Sequence, residues 1–159
     1  MELEINGLKL KVYESGEIYR LNKKGWILHK SKVNCKGYSP IKLNNKSFLK
    51  HRVIYKAFNP DWDITDSSLD NQIDHINRVR DDNRIINLRV VTNQQNQQNN
   101  NCKGYYWHNT KKRWISKVWL GKKTYSKFSK TEEEAIKATH ELRTKYYEFY
   151  ERTEIPEGL

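Results

Sequence analysis

The residues best suited to chemistry lie in the middle of the chain: adjacent Asp74 and His75, then Asn87, then Asn96. A carboxylate, an imidazole and two carboxamides are groups that can hydrolyse a phosphodiester. The reaction needs a base to take a proton from water, hard oxygen ligands for a cation, and a partner that aims the base. An unperturbed imidazole has a pKa of about 6.5, so His75 is mostly neutral at pH 7 and can accept that proton. Asn87 can accept the second ring N–H or fix the backbone that does so, which sets the tautomer. Asn96 offers an amide oxygen to join Asp74 in holding one divalent ion per site, Mg²⁺ or Mn²⁺. Such an ion keeps several waters and takes phosphate oxygens, so two protein ligands suffice. Neighbours on a strand point to opposite faces, so Asp74 and His75 meet in one pocket only if the strand stops there. The polar pair Asn77-Arg78, which opens a loop at once, supplies that stop. The competing view makes Asp74 and His75 surface strand residues and the asparagines caps and turn formers.

Short elements must hold these groups. Asn71 to Ile76 has the pattern of a strand, Leu88 to Thr92 that of its returning partner, and Asn93 to Asn101 follows as an Asn/Gln-rich helix with Thr92 as a plausible N-cap. Upstream, His51 to Phe58 puts Val53, Ile54, Ala57 and Phe58 on one helical face, and Asn59-Pro60 ends it. His51 at its start is expected to be a packed structural residue rather than a second base. The first fifty residues alternate β-prone runs, at Glu17 to Leu21, Trp26 to Leu28 and Tyr38 to Leu43, with Lys-Lys-Gly and Cys-Lys-Gly turns, which predicts a small meander. Between Pro60 and Asp82 the chain turns acidic, against a basic background.

From Lys103 to Thr131 there are nine Lys or Arg and no acidic residue, interleaved with aromatics. Strands are predicted at Tyr105 to Trp107, Arg113 to Leu120 and Lys122 to Phe128. A capping box, Thr131 to Glu134, then opens a helix whose Ala135, Ala138, Leu142, Tyr146 and Phe149 recur at helical spacing. Alternation along the middle strand sets Arg113, Ile115, Lys117 and Trp119 against Trp114, Ser116 and Val118, and only one set can face a ligand. Trp114 and Val118 are the better candidates for packing on the helix.

Two resemblances follow from these strings. Asp74-His75, Asp82-Asn83-Arg84-Ile85-Ile86-Asn87-Leu88-Arg89-Val90-Val91-Thr92 and Asn96, with the helix His51 to Phe58 upstream, resemble the HNH endonucleases, in particular the phage intron-encoded homing and nicking type. The resemblance covers about 51–100 and implies a ββα-metal finger with His75 as general base, Asn87 orienting it, and Asp74 and Asn96 holding one metal. The turn Asn77-Arg78-Val79 departs from that family's Asp-Gly-Asn. Lys103 to Trp107, Arg113 to Trp119, Gly121 to Phe128 and the Glu134-Ala135 helix resemble the ethylene-response-factor type of DNA-binding domain, which lays its sheet in the major groove. Residues matching its reading positions are Arg113, Trp114, Lys117, Trp119, Lys123 and Tyr125. The DNA contacts expected overall are Arg78, Arg84, Arg89, Lys103, Arg113, Lys117, Trp119, Lys122, Lys123, Tyr125 and Lys127, the basic ones mostly to phosphate.

Composition bounds the partners. The 159 residues carry 31% charged side chains and a formal net charge of +11, so a polyanion is favoured and any single core is thin. The basic residues fall in predicted strands and turns, which disfavours a membrane-surface helix. Cys35 and Cys102 form no CxxC pair, excluding a four-thiolate zinc site and suggesting reduced thiols. No signal-like or membrane-crossing apolar run is present, so a cytoplasmic protein is expected. The expectation is an α+β protein: a β-rich HNH module at 1–101, with its ββα-metal core at about 51–100, then at 102–159 a three-stranded antiparallel sheet packed on one helix. It acts on double-stranded DNA as a monomer rather than an obligate dimer. The rivals are a non-cleaving DNA-binding regulator and an RNA-binding protein that stacks bases on Tyr105, Trp107 and Trp119.

Overall fold

The computed structural model describes residues 1–100 and 102–150; the predicted helix end at Asn101 and the module's last residues, 151–159, lie outside them. The architecture is α+β with small antiparallel sheets, and the chain divides into two compact units, Met1–Thr92 and Asn93–Leu159.

In the first unit, β1 (Glu2–Ile5), β2 (Leu8–Val12), β3 (Ile18–Asn22) and β4 (Gly25–Leu28) form an antiparallel meander. A hairpin of β5 (Pro40–Leu43) and β6 (Lys46–Leu49) leads straight into α1 (Lys50–Phe58). A ribbon of β7 (Gln72–His75) and β8 (Leu88–Val91) completes the unit. The predicted meander is present in part: Glu17 to Leu21 and Trp26 to Leu28 supply β3 and β4, to which β1 and β2 add, whereas Tyr38 to Leu43 forms β5 of the separate hairpin.

These elements, β4 excepted, feed one apolar cluster. Ile5, Leu10, Val12 and Ile18 come from the meander, Ile41 and Leu43 from the hairpin, Val53, Ile54 and Ala57 from α1, and Ile73 and Leu88 from the ribbon. Phe58 packs at its edge, only partly buried, and α1 ends at Asn59, whose N–H returns to the Tyr55 carbonyl. The meander's other face stays open, with Tyr13, Leu21, Trp26 and Leu28 exposed.

The acidic stretch after α1 is a loop built on local turns. The Asp63 carboxylate accepts from the Thr65 N–H and hydroxyl, and Asp66 does the same for Ser68. Arg52 ties the loop to α1 by donating to the carbonyls of Ile64, Asp66 and Asn71 while lying over the Trp62 ring. These aspartates are therefore turn formers, which explains why a basic chain tolerates them.

The second unit begins with the short α2 (Asn93–Gln98). It continues as a sheet of β9 (Tyr105–His108), β10 (Arg113–Leu120) and β11 (Lys123–Ser129) with β10 in the centre, and ends in α3 (Glu132–Tyr146). Thr131 caps α3 by accepting from the Glu134 N–H, and Glu134 reaches back to the N–H of Lys130, one residue before the cap. The covered face of the sheet is fixed by Ser116, whose hydroxyl donates to the Ala135 carbonyl, and by the fully buried Val118. Gly104 adopts φ +78 and would press a Cβ on Thr139 and Arg143, so glycine is required where the chain enters β9. Both cysteines are free and exposed. Among the described residues no helix is long and apolar enough to cross a membrane.

Candidate active site

The β7/β8 ribbon decides where the central residues point. Its register pairs Asp74 with Arg89 and His75 with Leu88. Cross-strand partners share a face, so Asp74 lies on the side of Arg89 while His75 joins Ile73 and Leu88 on the core side. The alternation that argued against a common pocket therefore holds along the strand. β7 does stop at His75, where the loop begins. Both side chains are buried, His75 to 4% and Asp74 to 5% exposure.

Asp74 is paired. The Arg89 Nε and Nη2 both donate to its Oδ2, at 2.9 and 2.8 Å. Arg89, expected to contact DNA, is thus the counter-ion of the candidate metal ligand.

His75 is held at Nε2 by Asn83 Oδ1 at 3.4 Å. The amide of Asn83 cannot turn freely, because its Nδ2 donates to the Asp81 carbonyl at 2.9 Å. Its oxygen therefore faces the ring at Nε2. Burial pushes the His75 pKa below its usual value, opposed by the Asn83 bond and by the Asp74 and Asp82 carboxylates. Asn83 escaped sequence reasoning because it resembled one more turn-forming asparagine.

Asn87 works on the loop instead. Its Oδ1 accepts from the Asn77 N–H at 2.9 Å, and its Nδ2 donates to Asn77 Oδ1 at 2.9 Å and to the Asp82 carbonyl at 2.7 Å. Its backbone carbonyl takes the Ile76 N–H at 2.9 Å. Of the two roles weighed for it, the backbone-fixing one describes this geometry, and the ring-orienting contact belongs to Asn83. Arg78 occupies the position where the resemblance expects glycine and adopts φ 64, with its N–H bonded to the His75 carbonyl. An arginine thus bears a left-handed conformation that glycine adopts without strain.

Neighbouring segments brace the loop. The Ser39 hydroxyl donates to the Asp81 carboxylate, Arg80 donates to the Lys36 carbonyl, and its guanidinium lies over Tyr38. Gly16, at φ +89, packs so closely on the Asn83 carbonyl that a Cβ would lie at 3.0 Å. Arg84 forks onto Asp82 through Nε and Nη2, and holds that carboxyl at about 2.

His51, expected to be a packed structural residue, stands beside the candidate base. The His51 and His75 rings are 5.0 Å apart and nearly perpendicular, and Tyr38 leans on both.

Among the described residues no group of three or more His, Cys, Asp or Glu is placed to hold a metal ion. The donor set here is one buried carboxylate. That fits Mg²⁺, which takes one or two carboxylates and fills its remaining positions with water and phosphate oxygens. Asn96, the other proposed ligand, stands on α2 in the second unit.

In the second unit the register sorts the expected DNA contacts. Ile115 pairs with Phe128 and Tyr106, so Tyr106, Phe128, Arg113, Lys117 and Trp119 share the face away from α3. Trp119 and Phe128 are about half exposed, Lys117 lies over Trp119, and Lys111 and Arg113 lie over Phe128. Three expected contacts, Lys123, Tyr125 and Lys127, alternate onto the α3 side of β11. Tyr125 stacks on Tyr146 of α3 at 3.8 Å, and Lys127 is paired with Glu141, because β11 alternates and both fall on the helix side. Trp114 is on that side too, packed against Tyr105 and Trp107. Lys103, Lys122 and Lys123 are exposed.

Residues 48–98 match a family model described as HNH endonuclease. The chain thus carries an HNH endonuclease domain and is a nuclease, a hydrolase. A solved structure described as DNA binding and cleavage by the HNH homing endonuclease I-HmuI is similar at 20% identity, with a TM-score of 0.43 over 81% of this chain and 78% of that one. No curated protein matches the chain.

Proposed function

We propose that the chain hydrolyses phosphodiester bonds in double-stranded DNA, with His75 as general base, one divalent cation, and the basic sheet of the second unit as a DNA-binding module. The observation that carries this is the place of His75, at the end of β7 with its Nε2 facing Asn83 Oδ1 across the loop. With Asn83 facing its ring, the His75 imidazole takes a proton from water as that oxygen attacks phosphorus, and one ester P–O bond breaks with the electrons leaving on the sugar oxygen. A bound divalent cation supplies positive charge against the phosphate and the leaving oxygen. Asp74 would hold it. Asn87 keeps the loop closed around the base, and Arg78 and Arg84 on the same loop would contact phosphates. One such site cuts one strand, so a monomer nicks.

Arg113, Lys117 and Trp119 on the open sheet face would grip the duplex, with Lys103 and Lys122 adding phosphate contacts. Binding by one module raises the effective concentration of the other on the same DNA. The test is a supercoiled plasmid with Mg²⁺, Mn²⁺ or EDTA. Wild type should yield open circles only with metal, and His75→Ala should yield none while still binding DNA. A wild type silent with every metal refutes the reading.

Two observations favour a second reading, a DNA-binding protein whose HNH core serves as scaffold. Arg89 occupies Asp74 Oδ2, and His75 is only 4% exposed. Under that reading plasmid stays intact, and Asp74→Ala leaves DNA affinity unchanged at every Mg²⁺ concentration.

A further inference from the structure

We propose that His51 is a second catalytic imidazole of this site, whose Nδ1 hydrogen-bonds an oxygen that arrives with the substrate, either of the scissile phosphate or of the attacking water. The inference rests on the reading of His75 as the base.

It starts from an incongruity in α1. The inward positions after His51 are Val53, Ile54 and Ala57, all apolar and all in the core cluster. His51 is as buried as they are, at 4% exposure, yet its Nδ1 has no hydrogen-bond partner. A buried polar atom left unpaired destabilises the fold, and a leucine or phenylalanine here would avoid that loss. Packing alone therefore does not account for an imidazole.

The ring's position supplies a reason. It meets the His75 ring at 5.0 Å and 89°, and Tyr38 tilts against it at 5.3 Å, so the imidazole stands beside the candidate base. Burial holds the His51 pKa at about 3, with the nearby His75 and Arg52 pushing the same way, so the ring is neutral at working pH. A neutral imidazole offers one N–H and one lone pair and can bond either oxygen without carrying charge into the site. The same packing restrains the His75 ring from one side while Asn83 holds Nε2.

The test compares wild type, His51→Phe, His51→Leu and His51→Gln, full length, in single-turnover nicking of supercoiled plasmid with Mg²⁺, with plasmid affinity and thermal midpoint measured on each protein. His51→Phe keeps the ring and removes the nitrogens. Its midpoint should equal or exceed wild type, its DNA affinity should be unchanged, and its cleavage rate should fall by about ten-fold or more. His51→Gln, which restores a hydrogen-bonding group, should recover part of the rate. Cleavage by His51→Phe within about two-fold of wild type would overturn the assignment. Should phenylalanine prevent folding, His51→Leu is judged by the same criterion, per folded molecule. A wild type that cuts while the variants cut equally well removes only the role of His51, whereas a wild type that never cuts removes the nuclease reading and this one with it.

Discussion

Replacing Asn87 by alanine separates two accounts of the catalytic loop. The side chain makes three hydrogen bonds, one accepted from the Asn77 N–H and two donated, to Asn77 Oδ1 and to the Asp82 carbonyl. Each is worth about 0.5–1.5 kcal/mol net, which brackets the loss at about 1.5–4.5 kcal/mol. Asn77 is exposed and Asp82 half-buried, so both can turn to water once the partner is gone, and the expected cost sits in the lower half, about 2 kcal/mol. Asn87→Asp should be no better. It keeps the acceptor for the Asn77 N–H but sets a carboxylate oxygen against two other acceptors. Urea denaturation reads the stability, with an unchanged m-value certifying that the same transition is compared. Nicking measured on the folded fraction should fall about a hundred-fold, because the loop that frames His75 is displaced. The loop-holding account is refuted if Asn87→Ala keeps wild-type stability yet loses its activity, since that result would put the side chain on the ring itself.

Acid should destabilise the protein early. The unfolded His51 takes up a proton as pH falls through 6.5 and the folded one only near 3, so stability declines across that window, by up to about 1.4 kcal/mol per pH unit. Denaturation series at several pH values should show that slope, and it should flatten in His51→Phe. Thr131→Ala removes the cap of α3 and should cost about 1 kcal/mol, read as a lower urea midpoint for the second unit. On the open sheet face, Lys117→Ala should reduce the slope of log K against log salt for duplex DNA by roughly one, while Lys127→Ala, on the helix side, should leave it unchanged. Equal effects from the two lysines would mean that the sheet meets DNA by its edge rather than its face.

Legibility in the sequence tracked how far each feature is a matter of repeating pattern. Periodicity marks α1, β10 and α3, because each has apolar residues at one spacing long enough to exceed chance, and β10 runs from Arg113 to Leu120 as predicted. The short strands β1 and β2 escape, although Leu8-Lys9-Leu10-Lys11-Val12 alternates cleanly, since four or five residues carry little signal against so many lysines. Alternation alone defines two sheet faces without saying which one α3 covers, and the apolar bulk of Trp114 and Val118 is what favours theirs. Register with Tyr105 and Lys127 settles it through Ser116. Within the site, residue type and spacing nominate Asp74, His75 and Asn87 together. The division of labour between Asn83 and Asn87 depends on which amide faces the ring across a folded loop, and no spacing rule encodes that.

His51 shows why polar residues in a small core merit separate treatment. At the first turn of a short helix it reads as a packed structural residue, and only the packing of α1 on the ribbon brings it against His75. Burying His51, Asp74, His75, Asn83 and Asn87 in a unit of this size is costly unless each is paired. Asp74 finds Arg89, Asn83 finds the Asp81 carbonyl, and Asn87 finds Asn77 and Asp82. These pairings let a thin apolar core carry a polar centre, and they bind the stability of the loop to the orientation of the base. Substitutions at Asn83 and Asn87 should therefore move stability and chemistry together, whereas substitution of His51 by phenylalanine should move them in opposite directions. That contrast in sign distinguishes a residue that holds the site together from one retained at the expense of the fold.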